Sequence, residues 1–135
     1  MKSTLLGLAI AILTAVGSTH AQDTSSGNAE AGAVVFKRCM ACHKVGSDAK
    51  NGVGPVLNGV VGRAAGAYAD YRYSAANKNS GLTWDEPTLT IYLRAPRKLV
   101  PGTKMTFAGL NRNQEIADVI AYLKQFNAHG QKVGP

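Results

Sequence analysis

Residues 39–43 read Cys39-Met40-Ala41-Cys42-His43 and contain the only two cysteines of the chain. Two thiols with a gap of two residues, followed at once by a histidine, form the pattern of covalent haem attachment. Thiols near one helical turn apart can add to the two vinyl groups on one edge of a porphyrin. The adjoining histidine is then held at the iron as an axial ligand. Three other uses of these residues are weaker. A redox dithiol has the same gap but sits in a βαβ pattern, which the chain lacks. A zinc ion needs four ligands, and beyond the cysteines a processed chain offers only His43 and His129, at the wrong spacing. A structural disulfide between Cys39 and Cys42 leaves His43 unexplained.

An iron that only moves electrons has both axial positions filled, commonly by His and Met. Met40 lies between the two cysteines on the His43 side and cannot reach the opposite face of a porphyrin. His129 sits in a Gly-rich tail and reads as a solvated surface residue. Met105 remains, 62 residues after His43 (105 − 43), in Pro101-Gly102-Thr103-Lys104-Met105. Pro101 and Gly102 constrain that loop enough to present a thioether inward. Alone, Met105 could equally be core filling; beside a haem motif it is the expected sixth ligand.

Upstream of the motif, Ala29 to Arg38 is expected to be helical with Asn28 as its N-cap. Gly32 lowers the propensity of that helix, so another backbone is expected to approach it closely. Residues 22–28 read as a flexible leader. Before them, Met1 and Lys2, an apolar run from Leu5 to Val16 and the small residues ending at Ala21 have the layout of a cleaved signal peptide, residues 1–21. The competing interpretation, a retained and tilted anchor, has only the 12 residues of that run (16 − 5 + 1) to cross a bilayer.

Downstream, residues 44–81 are rich in Gly, Asn and Ser without sustained periodicity and are expected to be loop with short helical turns. A loop of that length is unusual in a compact domain unless it wraps something large and rigid. Asp85 to Ala95 is expected to be helical, with Pro87 in its first turn and Pro96 stopping it. Ile116, Val119, Ile120 and Leu123 fall at i, i+3, i+4 and i+7, placing the clearest helix over Asn113 to Asn127 with Gly130 as terminator. No segment reads as a strand. One all-α domain over 29–127, followed by a flexible tail over 128–135, is the expected organisation.

The chain of 135 residues carries 15 basic and 8 acidic residues, with 15 glycines that bury no side chain. So small a core usually needs a staple, metal or cofactor. Loss of Lys2 with the leader takes the net charge from +7 to about +6 (15 − 1 − 8). Such a balance suits an acidic partner or an anionic membrane surface. Nucleic acid is the weakest choice, since the basic residues are dispersed and no recognition motif occurs.

Together with Phe36-Lys37-Arg38, Gly54-Pro55-Val56-Leu57, Gly62-Arg63, Ala76-Asn77-Lys78-Asn79, Thr83-Trp84, Phe107-Ala108-Gly109 and Ile120-Ala121-Tyr122-Leu123-Lys124, these motifs make the chain closely resemble the class I cytochrome c family. The resemblance covers residues 29–127 and points to the short bacterial relatives of mitochondrial cytochrome c. The two-residue gap between Phe36 and Cys39 has the bacterial form; the mitochondrial form has one more residue there.

That resemblance implies the cytochrome c fold: N- and C-terminal helices crossing, and a loop-rich chain wrapped around one covalently bound haem c. It implies that the Pro55 carbonyl accepts the Nδ1 proton of His43 and that the Tyr92 hydroxyl bonds the Met105 sulfur. Arg63, Tyr73, Trp84 and Thr103 would surround the haem propionates, with Ser74 and Asn77 close by. Phe107 would cover the haem beside Met105. Gly32 and Phe36 would cross the last helix near Val119, Tyr122 and Leu123. Arg38, Arg97, Lys98, Lys104 and Arg112 would ring the exposed haem edge, with Lys37 and Lys44 nearby in sequence.

The implied function is one-electron transfer by a periplasmic monomer without a membrane span. Its implied donor is a quinol-oxidising membrane complex or a periplasmic dehydrogenase. Its implied acceptor is a terminal oxidase or, in phototrophs, a reaction centre. A haem enzyme or gas sensor would need an open sixth position, against which Met105 stands. A fixed subunit of a membrane complex would need an anchor or added domain.

Overall fold

Asn28 begins the first helix: its backbone is extended, and its side-chain oxygen accepts the Ala31 N–H at 2.8 Å. In a computed structural model the described residues are 26–134. The signal peptide expected over 1–21, most of the leader and Pro135 lie outside them. Five helices follow in order: α1 (Ala29–Phe36), α2 (Ala75–Lys78), α3 (Glu86–Arg94), α4 (Pro96–Leu99) and α5 (Asn113–Lys124). Among the described residues there is no strand, only the isolated bridges Ala64–Thr83 and Phe126–Lys132. No helix among them is long and apolar enough to cross a membrane.

The frame is the crossing of α1 with α5. Val35 and Phe36 bury against Ile116, Val119, Ile120 and Leu123, the stripe that the sequence periodicity marks. Gly32 is there because nothing larger fits: a Cβ on it would lie 1.9 Å from the Asp118 carbonyl oxygen. Phe36 and Tyr122 pack with ring centroids 5.2 Å apart and their planes tilted by 43°. The buried Asp118 carboxylate accepts the Asn28 N–H and the Gln114 amide, both at 2.7 Å. It therefore ties the entry of α1 to the face of α5.

Local chemistry sets the remaining elements. Asp85 caps α3 by accepting the Thr88 N–H at 2.8 Å; hydrogen bonding from the Thr88 side chain, and then from that N–H, holds its carboxyl below the ordinary aspartate value. Pro96 ends α3 as expected, and it also starts α4, because a proline at N1 has no N–H to leave unpaired. Residues 37–74 contain no helix; they form turns that lead from α1 through His43 to α2.

Three boundaries differ from the sequence expectation. Helix α1 stops at Phe36 rather than Arg38, where the chain tightens into turns through His43. Helix α5 stops at Lys124 rather than Asn127, and Gly130 is not its terminator. The third difference is the tail, which is hydrogen-bonded rather than loose through Val133. The Asn127 side chain accepts the His129 and Gln131 N–H groups at 2.9 and 3.0 Å, and Val133 N–H donates to Gln125 at 2.8 Å. An Asn carboxamide turned onto its own backbone makes such a turn stable.

Candidate functional site

The long loop, α3, α5 and the Met105 segment enclose a cavity of about 470 Å³ whose wall includes Cys39, Cys42, His43 and Met105. The turn after α1 sets the first three: the Cys42 and His43 N–H groups both donate to the Cys39 carbonyl, at 3.0 and 2.9 Å. Cys39 and Cys42 are unbridged and half-buried. Burial pushes the Cys39 thiol up, more than the neighbouring Arg38 charge draws it down. A redox dithiol needs the opposite shift.

His43 Nδ1 lies 2.7 Å from the Pro55 carbonyl. A carbonyl only accepts, so Nδ1 carries the proton and Nε2 keeps its lone pair. Burial lowers the imidazole's pKa; the Pro55 bond opposes this and the Arg63 charge assists it, so the ring is held neutral. Gly54 cradles the ring, since a Cβ there would meet His43 Cε1 at 2.4 Å.

Met105 is fixed from two sides. Its N–H donates to Thr103 Oγ1 at 3.2 Å, and the Tyr92 hydroxyl donates to its sulfur at 3.1 Å. Burial raises the Tyr92 pKa above the ordinary phenol, against a smaller lowering by Thr103, so the donating proton stays on. Trp84 packs against Tyr92 with ring centroids 4.5 Å apart, and Phe107 lines the same cavity.

Two buried polar atoms in the cavity wall have no hydrogen-bond partner among the described residues: Arg63 Nε and Asn77 Oδ1. Arg63 otherwise donates to the Asn58 and Val56 carbonyls, at 2.8 and 3.2 Å, and lies over the Tyr68 ring. An orphaned buried guanidinium N–H is costly without an acceptor. The Asn77 amide, turned over, would offer an N–H to the same acceptor. Tyr73, Ser74 and Thr103 complete this polar side of an otherwise apolar hollow. An occupant with an acidic edge satisfies it.

The basic residues expected at the rim divide. Arg38 and Lys104 line the cavity; Arg97, Lys98 and Arg112 do not, and stand exposed on α4 and at the N-cap of α5. Arg38 is not a free charge. Its guanidinium forks onto Glu115 with bonds of 3.0 and 2.9 Å, the planar geometry Arg favours with carboxylates. Lys104 donates to the Arg72 carbonyl and lies 4.6 Å from the centre of the Tyr71 ring.

Tyr71 is the site residue that sequence reasoning missed. Its hydroxyl donates to the Val53 carbonyl at 2.6 Å while its ring receives Lys104, so it joins the His43 side of the cavity to the Met105 side. The alternation Tyr71-Arg72-Tyr73 was the available signal.

A hollow of this size, walled mainly by apolar side chains, has room for a large, rigid occupant. Thiol, imidazole and thioether donors at its wall suit an iron porphyrin with acidic substituents, and the class is that of helical haem proteins. The chain belongs to the cytochrome c family, whose sequence model matches residues 29–127. It is 48% identical to cytochrome c2 of Blastochloris viridis over 132 residues, 98% of this chain and 99% of that one. It is 57% identical to cytochrome c2 of Rhodoblastus acidophilus over 107 residues, 79% of this chain and all of the relative. Among solved structures it resembles cytochrome cH from Methylobacterium extorquens, with a TM-score of 0.70 and 52% identity over 73% of this chain and 99% of that one. The protein is thus a c-type electron carrier rather than an enzyme, and its cofactor is covalently bound haem c.

Proposed function

We propose that Cys39 and Cys42 each form a thioether to one haem, that His43 Nε2 and Met105 Sδ are its axial ligands, and that the protein is a soluble periplasmic monomer. In this role it carries single electrons from a quinol-oxidising membrane complex or periplasmic dehydrogenase to a terminal oxidase or reaction centre. The observation that carries the assignment is the pair of hydrogen bonds behind the ligands. The Pro55 carbonyl accepts a hydrogen bond from His43 Nδ1–H and the Tyr92 hydroxyl donates to the Met105 sulfur, leaving a lone pair on each ligand atom at one shared cavity.

When bound, the haem iron supplies a one-electron couple that needs no change of ligand. The chain supplies the rest. Val60, Leu89, Leu93, Val119 and Leu123 exclude water from the cavity, which favours the state of lower net charge. Arg63 Nε, the Asn77 amide, Tyr73, Trp84 and Thr103 offer donors to the propionates, whose charge would otherwise be too costly to bury. Phe107 covers the haem beside Met105. Tyr71 and Lys104 close the rim.

Exposed charge at Arg97, Lys98, Lys104 and Arg112 steers the protein to acidic partners and lets the complex part quickly. The rate of electron transfer to an acidic partner is therefore expected to fall by roughly tenfold or more between low and high salt. Lys98→Glu is expected to slow the reaction more than Lys124→Glu, because Lys98 belongs to the proposed docking face and Lys124, paired with Glu86 at 2.5 Å, does not. Arg38→Gln should change it least, since it removes one charge where each reversal changes the charge by two. Stopped-flow rates against salt check this. Equal effects of Lys98→Glu and Lys124→Glu would mean that net charge alone governs association.

A further inference from the structure

The family match ends at Asn127, yet the next six residues are built into the fold. Gly130 is buried with φ +76°, a backbone conformation that side chains disfavour. A Cβ on it would lie 2.2 Å from the Gly46 carbonyl and 2.5 Å from Asn58 Nδ2. Neighbouring Ala128 lies against Gly59, whose N–H donates to the Phe126 carbonyl at 3.0 Å. The turn thus sits directly on two stretches of the long loop, around Gly46 and around Asn58.

Those stretches are paired with each other. The buried Asn58 amide accepts the Gly46 N–H at 2.9 Å and donates to the Gly46 carbonyl at 2.8 Å. The pairing continues toward the cavity as Leu57 N–H donates to Lys44 at 3.0 Å and Gly54 N–H to Cys42 at 2.8 Å. Within this ladder Pro55 holds His43, and the Val56 and Asn58 carbonyls hold Arg63.

We infer that the C-terminal turn, residues 127–133, is a strap that clamps the far end of this ladder and so positions His43 and Arg63. The hydrogen bonds of residues 127–133 given above do not reach Cys39, Cys42 or Met105, so the strap acts on the site only through this ladder. The inference rests on His43 being the axial ligand proposed above.

The test uses the covalently loaded protein in its reduced form, followed by hydrogen exchange in NMR. Two variants are compared, Gly130→Val and a chain ending at Asn127; the truncation carries the test if the valine variant fails to fold. Ile120→Val, in the α1–α5 crossing, is the control, with rates compared at denaturant concentrations that equalise overall stability. Exchange at the Leu57 N–H and His43 Nδ1–H is expected to quicken by about fivefold or more in the strap variants, the change for losing about one hydrogen bond's worth of local stability. The midpoint potential should shift with it, and the control should match wild type at both sites. Exchange at Leu57 and His43 no faster than in the control would overturn the inference. Absence of the haem spectrum would instead overturn the ligand proposal, while the Leu57 N–H still reports on the strap.

Discussion

Met105→Ala is expected to turn a closed carrier into an open haem site. A ligand that must first displace the thioether has its affinity reduced by the small fraction of molecules in which the site is open. Removing the thioether abolishes that competition, so imidazole and cyanide should bind the ferric variant roughly 100-fold more tightly or better. Wild type should bind carbon monoxide, in the reduced state, slowly or poorly. The potential should drop by roughly 100–300 mV, a modest part of the about 0.8 V over which axial ligands set haem potentials. Peroxidase activity should appear. The sulfur is held by the Tyr92 hydroxyl at 3.1 Å, so loss of the side chain also strands a buried donor. Equilibrium titration and redox potentiometry of both proteins check this. Equal ligand binding by wild type and variant would mean that Met105 is not a ligand.

The second large effect concerns folding. A hollow of about 470 Å³ lies between α3, α5 and the long loop. Without an occupant, the apolar side chains that wall it, Leu89, Leu93 and Val119 among them, lose the atoms they pack against, a loss on the order of several kcal/mol. Whole domains are stable by only about 5–15 kcal/mol. The chain made with Cys39→Ser and Cys42→Ser, and without haem, is therefore expected to be largely unfolded. It should show weak helical circular dichroism and no cooperative thermal transition. A sharp transition with native helix content would mean that the loops find a core of their own.

What could be read in the sequence was whatever depends on near neighbours. Asn28 caps α1, the stripe from Ile116 to Leu123 faces the core, and Cys39 to His43 form one turn, because each is fixed within a few residues. Gly32 gave away its close contact, though not that the Asp118 backbone makes it. The Arg38–Glu115 fork joins residues 77 apart, and no local pattern predicts it. Arg38 consequently reads as a free docking charge when it is a paired one. The end of α5 was misplaced for a similar reason: Gly59 N–H takes the Phe126 carbonyl, and the tail folds back. Gly130, which looks like a helix terminator, is shaped by Gly46 and Asn58 instead.

Of the candidate site, the four groups proposed to hold the haem could be named because the motif and the count of methionines leave few choices. The residues behind Arg63 and Lys104 could not. Their roles come from backbone carbonyls at Val56, Asn58 and Arg72, and carbonyls carry no sequence signature.

The central claim, that one haem is held through Cys39 and Cys42, is tested most directly by acid–organic extraction of the exported protein followed by intact mass measurement. Thioethers survive that treatment while axial ligation does not. The account predicts that the denatured chain keeps the full added mass of one haem, that either single serine variant keeps it by one bond, and that the double variant loses it. Recovery of the haem in the organic phase from wild-type protein would contradict it.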